Sequence, residues 1–249
     1  MNIDYVVANP TGNITVLVTT PVDEKNKLTV VNEMFEKEPT CEQVGFVSVL
    51  SDSRIKLEMM GGEFCGNATV SAASYCVSVS NLDIGYQKLV VVESSGIDHP
   101  VSVIVKRVDE TTFIGTLEMP IPQMSYYDGS PLVQLDGISH LLVPAGTLTT
   151  DELEESIKSI ANQLDVLAAG IIQYEKDEKG ITIVPLVYVP GSNTLVWEHG
   201  CASGSIAAAY YNYMQNNETE TAVYQPGGMT RIAIRSENVL YTGQVILNK

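Results

Sequence analysis

The sequence predicts a mixed α/β protein made of two similar halves, each a β-sheet wrapped around one central helix. The order of predicted strands and helices in the first half recurs in the second half, offset by about 126 to 136 residues. Each half also contains one helix rich in alanine and serine, and a helix with such small side chains suits a tightly enclosed position. These two central helices begin at Cys65 and at Cys201.

The first half is expected to contain five strands and two helices. Pro21 and an acidic first turn introduce a helix over about 22–36. The central helix runs from Cys65 to about residue 79. Runs of β-branched and other apolar residues indicate the strands. They are 14–18, 44–49, 55–59, 89–92 and 101–105, the last two on either side of a turn at 94–96.

The second half repeats this order. Thr149 and Glu152 have the spacing of a capping box at the start of a helix over about 151–164. The central helix runs from Cys201 to about residue 214. The expected strands are 140–143, 170–174, 181–184 and 231–235, with a turn at 225–228 before the last.

The boundary between the halves is expected near two prolines. Pro120 and Pro122 interrupt the strand pattern, as prolines do at the ends of strands. We therefore assign residues 1–121 to an N-terminal half that carries Cys65, and residues 122–249 to a C-terminal half that carries Cys201. A last strand at 239–247 is a candidate to return to the first half.

Composition narrows the class of protein. The 249-residue chain is 45% hydrophobic and 18% charged, which is typical of a globular protein. Its net charge of −16 argues against nucleic acid and anionic membranes as partners. The sequence shows neither a secretion signal nor an apolar stretch long enough to span a membrane, so we expect a cytoplasmic location and four reduced cysteines. No CxxC pair or histidine cluster indicates a metal site.

The two cysteines that open the central helices are the candidate catalytic residues. A cysteine at a helix start lies beside backbone N–H groups without a partner in the helix and at the positive end of the helix dipole, and both favour the thiolate. The same N–H groups form a site for an anion such as a carboxylate. The repeat would turn both helix starts towards one cleft, with a sulfur on each side of the anion. The N–H groups that would bind it belong to Gly66, Asn67, Ala202 and Ser203.

Two opposed thiols match the chemistry of an amino-acid racemase that uses no cofactor. Removal of the α-proton gives a carbanion whose charge spreads onto the carboxylate, and backbone donors that are already oriented stabilise this charge. Racemisation also needs a base on one face of the α-carbon and an acid on the other. Two thiols suit this task because they exchange roles in the reverse direction. Two such interacting thiols would titrate as a coupled pair, so neither has a pKa of its own.

Several short motifs resemble those of the diaminopimelate epimerases. Cys65-Gly66-Asn67 is similar to their first catalytic motif. The segment 198–204 is similar to their second-cysteine motif, in the shorter form of proline-racemase-type relatives. The further similar positions are Gly12-Asn13 in the N-terminal strand, Gln43, His140 at the start of a second-domain strand, and the turn Pro226-Gly227-Gly228.

The resemblance is greatest to the histidine racemases of this superfamily, including those that make D-histidine for opine-type metallophores. Motif order and spacing agree over nearly the whole chain. The similar segments are 10–13, 41–46, 63–69, 195–198 and 225–228.

The chain also departs from both groups. The Glu-Arg-Gly stretch with which diaminopimelate epimerases hold their substrate is not recognisable, and their Asn-Pro-His motif is reduced to Ile138-Ser139-His140. These changes argue against a substrate with a second amino-acid head. Compared with the histidine racemases, Gly62 stands in place of an asparagine and Ala202 in place of a glycine, and the methyl group of Ala202 narrows the carboxylate site.

The resemblance implies a diaminopimelate epimerase-like fold with two pseudo-symmetric domains, no cofactor and a homodimer. It implies that Cys65 and Cys201 are the two acid/base thiols. Asn13 and Gln43 become candidates to bind the amino group or the side chain of the substrate. Glu198 is a further candidate, although its position suits a surface ion pair equally well.

The sequence thus predicts a racemase that acts on free L- and D-histidine. A racemase or epimerase for another amino acid, such as diaminopimelate or a proline derivative, is the first alternative. A non-catalytic amino-acid-binding relative and an isomerase of the phenazine-biosynthesis type are others, which the paired cysteines disfavour because neither depends on two thiols. A redox-sensing thiol protein is a last alternative.

Other polar and aromatic residues receive less specific interpretations. His140 is interpreted as a structural histidine with its hydrogen bonds satisfied, and Trp197 as a core residue. His199 either tunes the neighbouring thiolate or points to solvent. The acidic run 151–155 is interpreted as a solvated helix start, and Cys41 and Cys76 as buried core residues.

Overall fold

The computed structural model of the protein describes residues 3–248. It divides into two compact units. The first ends at Leu117 and takes up the chain again from Thr242, and the second spans Glu118–Tyr241. The change of unit lies inside a strand that ends at Pro120, close to the predicted boundary.

The first unit is a closed barrel around one helix. Its strand order is β1-β2-β3-β4-β5-β6-β7-β16, and β16 pairs with β1 to close the ring. The strands are β1 (Tyr5–Pro10), β2 (Thr15–Val18), β3 (Gln43–Ser51), β4 (Arg54–Met59), β5 (Gln87–Ser94), β6 (Val101–Arg107), β7 (Thr112–Pro120) and the end of β16 (Asn238–Asn248). The helices are α1 (Lys27–Lys37), preceded by a 3-10 turn (Glu24–Asn26), and the central α2 (Gly66–Ser78).

Small side chains allow α2 to lie inside the barrel. Every residue of α2 except Tyr75 and Ser78 is buried. On β7, a Cβ atom at Gly115 would lie 2.2 Å from the Cγ1 atom of Val70, so the strand approaches the helix at a distance that only glycine allows. The predicted enclosed central helix is therefore present in this unit.

The second unit repeats the plan around α4. Its strand order is β8-β9-β10-β11-β12-β14-β15-β16, and β13 pairs with the free part of β12. The strands are β8 (Gln123–Tyr127), β9 (Ser130–Leu135), β10 (Ile138–Pro144), β11 (Ala169–Lys176), β12 (Ile181–Val189), β13 (Thr194–Trp197), β14 (Glu220–Gln225), β15 (Gly228–Ile234) and the start of β16. The helices are α3 (Thr150–Leu164) and α4 (Ala202–Asn216).

The predicted helices are present, with small shifts at their ends. The capping box at α3 is confirmed, because Thr149 accepts from the backbone of Glu152 while the Glu152 carboxylate accepts from the backbone of Thr149. The helix expected over 22–36 begins as a 3-10 turn, and its α-helical part starts only at Lys27. The sequence analysis missed six strands, namely β1, β7, β8, β9, β13 and β14.

Among residues 3–248, no helix combines the length and the apolar character needed to cross a lipid bilayer.

A tight turn after β5 fixes the chain just before α2. Gly96 has a φ of +77°, and a Cβ atom there would lie 2.1 Å from the backbone nitrogen of Phe64. The Ser95 hydroxyl donates to the carbonyl of Glu63 at 2.8 Å. This turn therefore clamps the two residues that precede Cys65.

We predict that Gly96→Ala destabilises the protein far more than Gly62→Ala. Gly62 is a matched control, since its φ is +75° but a Cβ atom there would meet no other atom within 4 Å beyond its chain neighbours. The control should cost about 1–2 kcal/mol from backbone strain alone. The clash with Phe64 should add at least about 2 kcal/mol. Urea unfolding of both variants measures the difference, and equal losses would contradict the described packing.

Candidate active site

The two candidate cysteines occupy the same position in the two units, as the N-cap of the central helix. Cys65 has φ −130° and ψ 114°, and Cys201 has φ −134° and ψ 108°. The sulfur of Cys65 accepts from the backbone N–H of Ala68 at 3.5 Å, and that of Cys201 from the N–H of Gly204 at 3.3 Å. In each unit the thiol side chain therefore replaces the Ser, Thr or Asp that ordinarily caps a helix.

A hydroxyl four residues further on repeats as well. Thr69 donates its hydroxyl to the carbonyl of Cys65 at 2.8 Å, and Ser205 donates to the carbonyl of Cys201 at 2.7 Å. The same carbonyl also accepts the backbone N–H of the residue that carries the hydroxyl, which is the first hydrogen bond of the helix. The two units thus build one local arrangement twice, from different sequences.

At the start of each central helix, the N–H groups of the cysteine and of the next three residues precede the first helical hydrogen bond. In α2 they include those of Gly66 and Asn67, and in α4 those of Ala202 and Ser203, because helical bonding begins only at the fourth residue after the cysteine. Gly66, Asn67 and Ala202 are buried. Donors in this position favour a negatively charged ligand.

Burial overrides the helix dipole at Cys201. The residue is only 4% exposed, and this burial raises the pKa of its thiol well above the ordinary value. The charge of Glu198 and a hydrogen bond to it raise the pKa further, while Ser203 and the N–H of Gly204 act in the opposite direction. The expectation that the helix start favours the thiolate is therefore wrong for Cys201, which rests as a thiol at neutral pH.

A buried histidine is linked to Cys201 through a serine. The Nε2 atom of His140 lies 2.8 Å from the Ser203 hydroxyl, which lies 3.6 Å from the Cys201 sulfur. Gly170 faces His140 across β10 and β11, and a Cβ atom there would lie 2.1 Å from the Nδ1 atom. Only glycine leaves room for the ring.

The interpretation of His140 as a fully satisfied histidine is wrong. Its Nδ1 atom is buried and has no hydrogen-bond partner among the described residues. An unprotonated Nδ1 avoids a buried N–H without an acceptor, so the proton belongs on Nε2 and is donated to Ser203. The Ser203 hydroxyl is then free to donate to the sulfur of Cys201.

In the first unit, Asn13 and Gln43 belong to one buried polar cluster. The Gln43 amide donates to the Asn13 side-chain oxygen and, at 2.8 Å, to the hydroxyl of Thr15. The Asn13 amide donates to Glu42 at 2.7 Å. The structure thus brings the two predicted binding residues into contact with each other and holds both in fixed orientations.

His199 and Trp197, the two neighbours of the candidate Glu198, differ in their environment. His199 is exposed, and its carbonyl accepts from the N–H of Gly227 at 2.7 Å. Trp197 packs against the core of the second unit and donates its indole N–H to Glu154 at 2.9 Å. The acidic run is therefore not wholly solvated, since Glu154 anchors this tryptophan.

Two buried polar residues next to the cysteines were missed by sequence reasoning. Glu63 is 5% exposed, one of its carboxylate oxygens has no partner among the described residues, and burial raises its pKa. Gln225 accepts the backbone N–H of Cys201 at 2.8 Å. The only sequence signal for them was that they lie in the segments 63–69 and 225–228, which resemble those of histidine racemases.

Among residues 3–248, no group of three or more histidine, cysteine, aspartate or glutamate side chains is arranged to hold a metal ion.

Comparison with known proteins places the chain in a family. A family profile described as the histidine racemase CntK N-terminal domain matches residues 2–247. A histidine racemase of Fusobacterium nucleatum is 31% identical over 98% of this chain and 94% of its own length. The chain belongs to the histidine racemase family. A histidine racemase of Staphylococcus aureus is 27% identical over 91% of this chain and 86% of its own length.

Solved structures share the fold of this histidine racemase family member. A phenazine biosynthesis PhzF family protein from Enterococcus faecalis has a TM-score of 0.68 at 14% identity, covering 100% of this chain and 98% of that one. A predicted epimerase from Pseudomonas aeruginosa has a TM-score of 0.71 at 12% identity, covering 98% and 96%. Identities this low establish a mixed α/β fold only.

One departure from the histidine racemase pattern has a simple physical account. Gly62, where an asparagine is expected, has a φ of +75°. Asparagine is among the few non-glycine residues that adopt this left-handed conformation readily, so either residue fits the turn.

The second departure from the histidine racemase pattern is Ala202, which stands in place of a glycine. Ala202 is 3% exposed, and its methyl group lies within the buried start of α4.

We predict that protonation of His140 destabilises the protein in acid. Burial lowers its pKa from 6.5 to about 3, so the unfolded chain binds this proton first as the pH falls. The free energy of unfolding should therefore fall by up to about 1.4 kcal/mol per pH unit between about pH 6 and pH 4. In His140→Asn this contribution should disappear from urea unfolding curves, and equal slopes in both proteins would contradict a neutral buried ring.

Proposed function

We propose that this protein interconverts L- and D-histidine by a 1,1-proton transfer between two thiols. The observation that carries the proposal is the duplicated cysteine N-cap at Cys65 and Cys201, in a chain of the histidine racemase family. One sulfur takes the α-proton and the other delivers a proton to the opposite face of the same carbon. Since each thiol is left in the protonation state of the other, the reverse reaction uses the same two groups.

The resting protonation states favour different starting roles. Cys201 rests as a thiol because it is buried and lies beside Glu198, so it is ready to act as the acid. The complementary base is then Cys65, which is less buried than Cys201. The two protons belong to a coupled pair, so the roles describe the pair and not fixed properties of each residue.

The helix starts supply the stabilisation that the carbanion needs. The N–H groups of Gly66 and Asn67 in one unit, and of Ala202 and Ser203 in the other, are oriented before charge develops on the substrate carboxylate. We assign the amino group and the imidazole to acceptors among Asn13, Gln43 and Glu198. The buried contacts of Asn13 with Gln43 support this assignment, because they hold both amides in place without the substrate.

Further parts of the proposal concern the fold, the cofactor and the assembly. We propose a diaminopimelate epimerase-like fold with the domain boundary near residue 121, and catalysis without pyridoxal phosphate or another cofactor. We also propose a homodimer and a cytoplasmic location, where the four thiols stay reduced.

We predict that Cys65→Ser and Cys201→Ser each lower the racemisation rate by at least about a thousandfold, because a hydroxyl is a far weaker acid than a thiol. Cys76→Ser makes the same change in the body of α2, where the sulfur contacts the carbonyl of Ser51, and should retain activity. The rate is followed by circular dichroism with L-histidine. Full activity in Cys201→Ser would end the two-thiol mechanism.

The substrate assignment is tested in the same assay with a panel of L-amino acids that includes diaminopimelate and proline derivatives. Racemisation of L-histidine in preference to the others is the expected result. Preference for another amino acid would leave the thiol chemistry intact and overturn the substrate.

A further inference from the structure

A glutamine holds the start of α4 and leaves its amide nitrogen unused. Gln225 is the last residue of β14, and its side-chain oxygen accepts from the backbone N–H of Cys201 at 2.8 Å and lies 3.5 Å from the Ser205 hydroxyl. It pairs with Gly228 across a two-residue turn. That turn is tied to the segment before Cys201, because Gly227 donates to the carbonyl of His199 at 2.7 Å.

The hydrogen bond from Cys201 fixes the orientation of the Gln225 side-chain amide. A backbone N–H only donates, so the atom of Gln225 that faces it must be the oxygen. The Nε2 atom is then the other end of the same group. Gln225 is 7% exposed, and its Nε2 atom is shielded from solvent without a hydrogen-bond partner among residues 3–248. Buried donors in folded proteins are nearly always paired, so this one calls for a ligand.

We propose that the Nε2 atom of Gln225 binds the substrate, by donating to a carboxylate oxygen of the amino acid at the start of α4. This inference rests on the proposed function and adds a residue that binds the substrate through its side chain. The neighbouring groups decide the ligand class. The amide lies beside the first N–H groups of a 15-residue helix, and a further donor among such donors suits an anion.

One side chain would then connect the acid to the substrate. The oxygen of Gln225 holds the backbone of Cys201, and the nitrogen holds the carboxylate whose charge rises as the α-proton leaves. Because both contacts come from one planar group, they fix the backbone of Cys201 and the substrate relative to each other.

Gln225→Glu separates the two contacts, since a carboxylate still accepts from Cys201 but cannot donate. We expect the KM for L-histidine to rise on the order of tenfold or more at neutral pH. As the pH falls and the introduced carboxyl gains a proton, it can donate again and the KM should recover. Cys201, Glu198 and His140 are ionisable groups near the start of α4, so each KM is compared with that of the wild type at the same pH.

Two controls accompany this variant. Gln123→Glu makes the same charge change on the exposed strand β8 and should leave the KM unchanged. Thermal unfolding shows whether Gln225→Glu folds. If it does not, Gln225→Met is used instead, since its side chain has a similar length but no hydrogen-bond donor. This variant should show the raised KM without recovery in acid.

Inhibition by fragments of the substrate identifies the acceptor. Imidazolepropionate keeps the carboxylate and histamine lacks it, so Gln225→Glu should weaken inhibition by imidazolepropionate and not by histamine. Weaker inhibition by both would place the donor at the imidazole and overturn the assignment to the carboxylate.

The outcomes separate this inference from the proposed function. An unchanged KM in a folded Gln225→Glu variant overturns the inference, while wild-type racemisation of histidine still supports the function. A wild-type protein that does not act on histidine overturns both.

Discussion

The structure of each unit depends on a cysteine that caps a helix enclosed by β-strands. The sulfur accepts a backbone N–H at the helix start, in place of the hydroxyl or carboxylate that is usual there. In the first unit, α2 can reach this position because its side chains are small and because β7 comes as close as Gly115 allows. In each unit the strands thereby hold a cysteine sulfur beside a cluster of backbone N–H groups at the start of the enclosed helix.

Burial and the helix dipole have opposite effects at this point, and burial prevails at Cys201. The dipole and the N–H of Gly204 favour the thiolate, but removal from water and the nearby Glu198 favour the thiol. The same removal from water strengthens the hydrogen bonds that a substrate carboxylate would receive from the helix start. A protonated Cys201 is therefore a consequence of the buried environment that the proposed reaction would use. Neutral His140 orients the Ser203 hydroxyl, whose hydrogen bond to the sulfur favours the thiolate but is outweighed by burial.

Local sequence predicted the central helices, their cysteine caps and the capping box at Thr149, because these features depend on residues close together in the chain. β1 was missed because it ends in Asn9-Pro10 and is stabilised by pairing with β16, at the other end of the chain. β8 and β9 carried a signal that was overlooked, since Asp128-Gly129 has the left-handed pair of φ angles of a hairpin turn. The roles of Ser203 with His140 and of Gln225 with Cys201 arise from contacts between distant segments. No local pattern contains them.

The central claim is that two thiols act on opposite faces of the same α-carbon, and the isotope carried by each enantiomer tests it most directly. Wild-type protein is incubated with L-histidine in deuterated water, and the α-proton of each enantiomer is followed by NMR at early times. If separate thiols remove and deliver the proton, newly formed D-histidine carries deuterium while the remaining L-histidine keeps its proton. D-Histidine that retains the original proton, or deuterium that enters L-histidine as fast as D-histidine forms, would contradict the account.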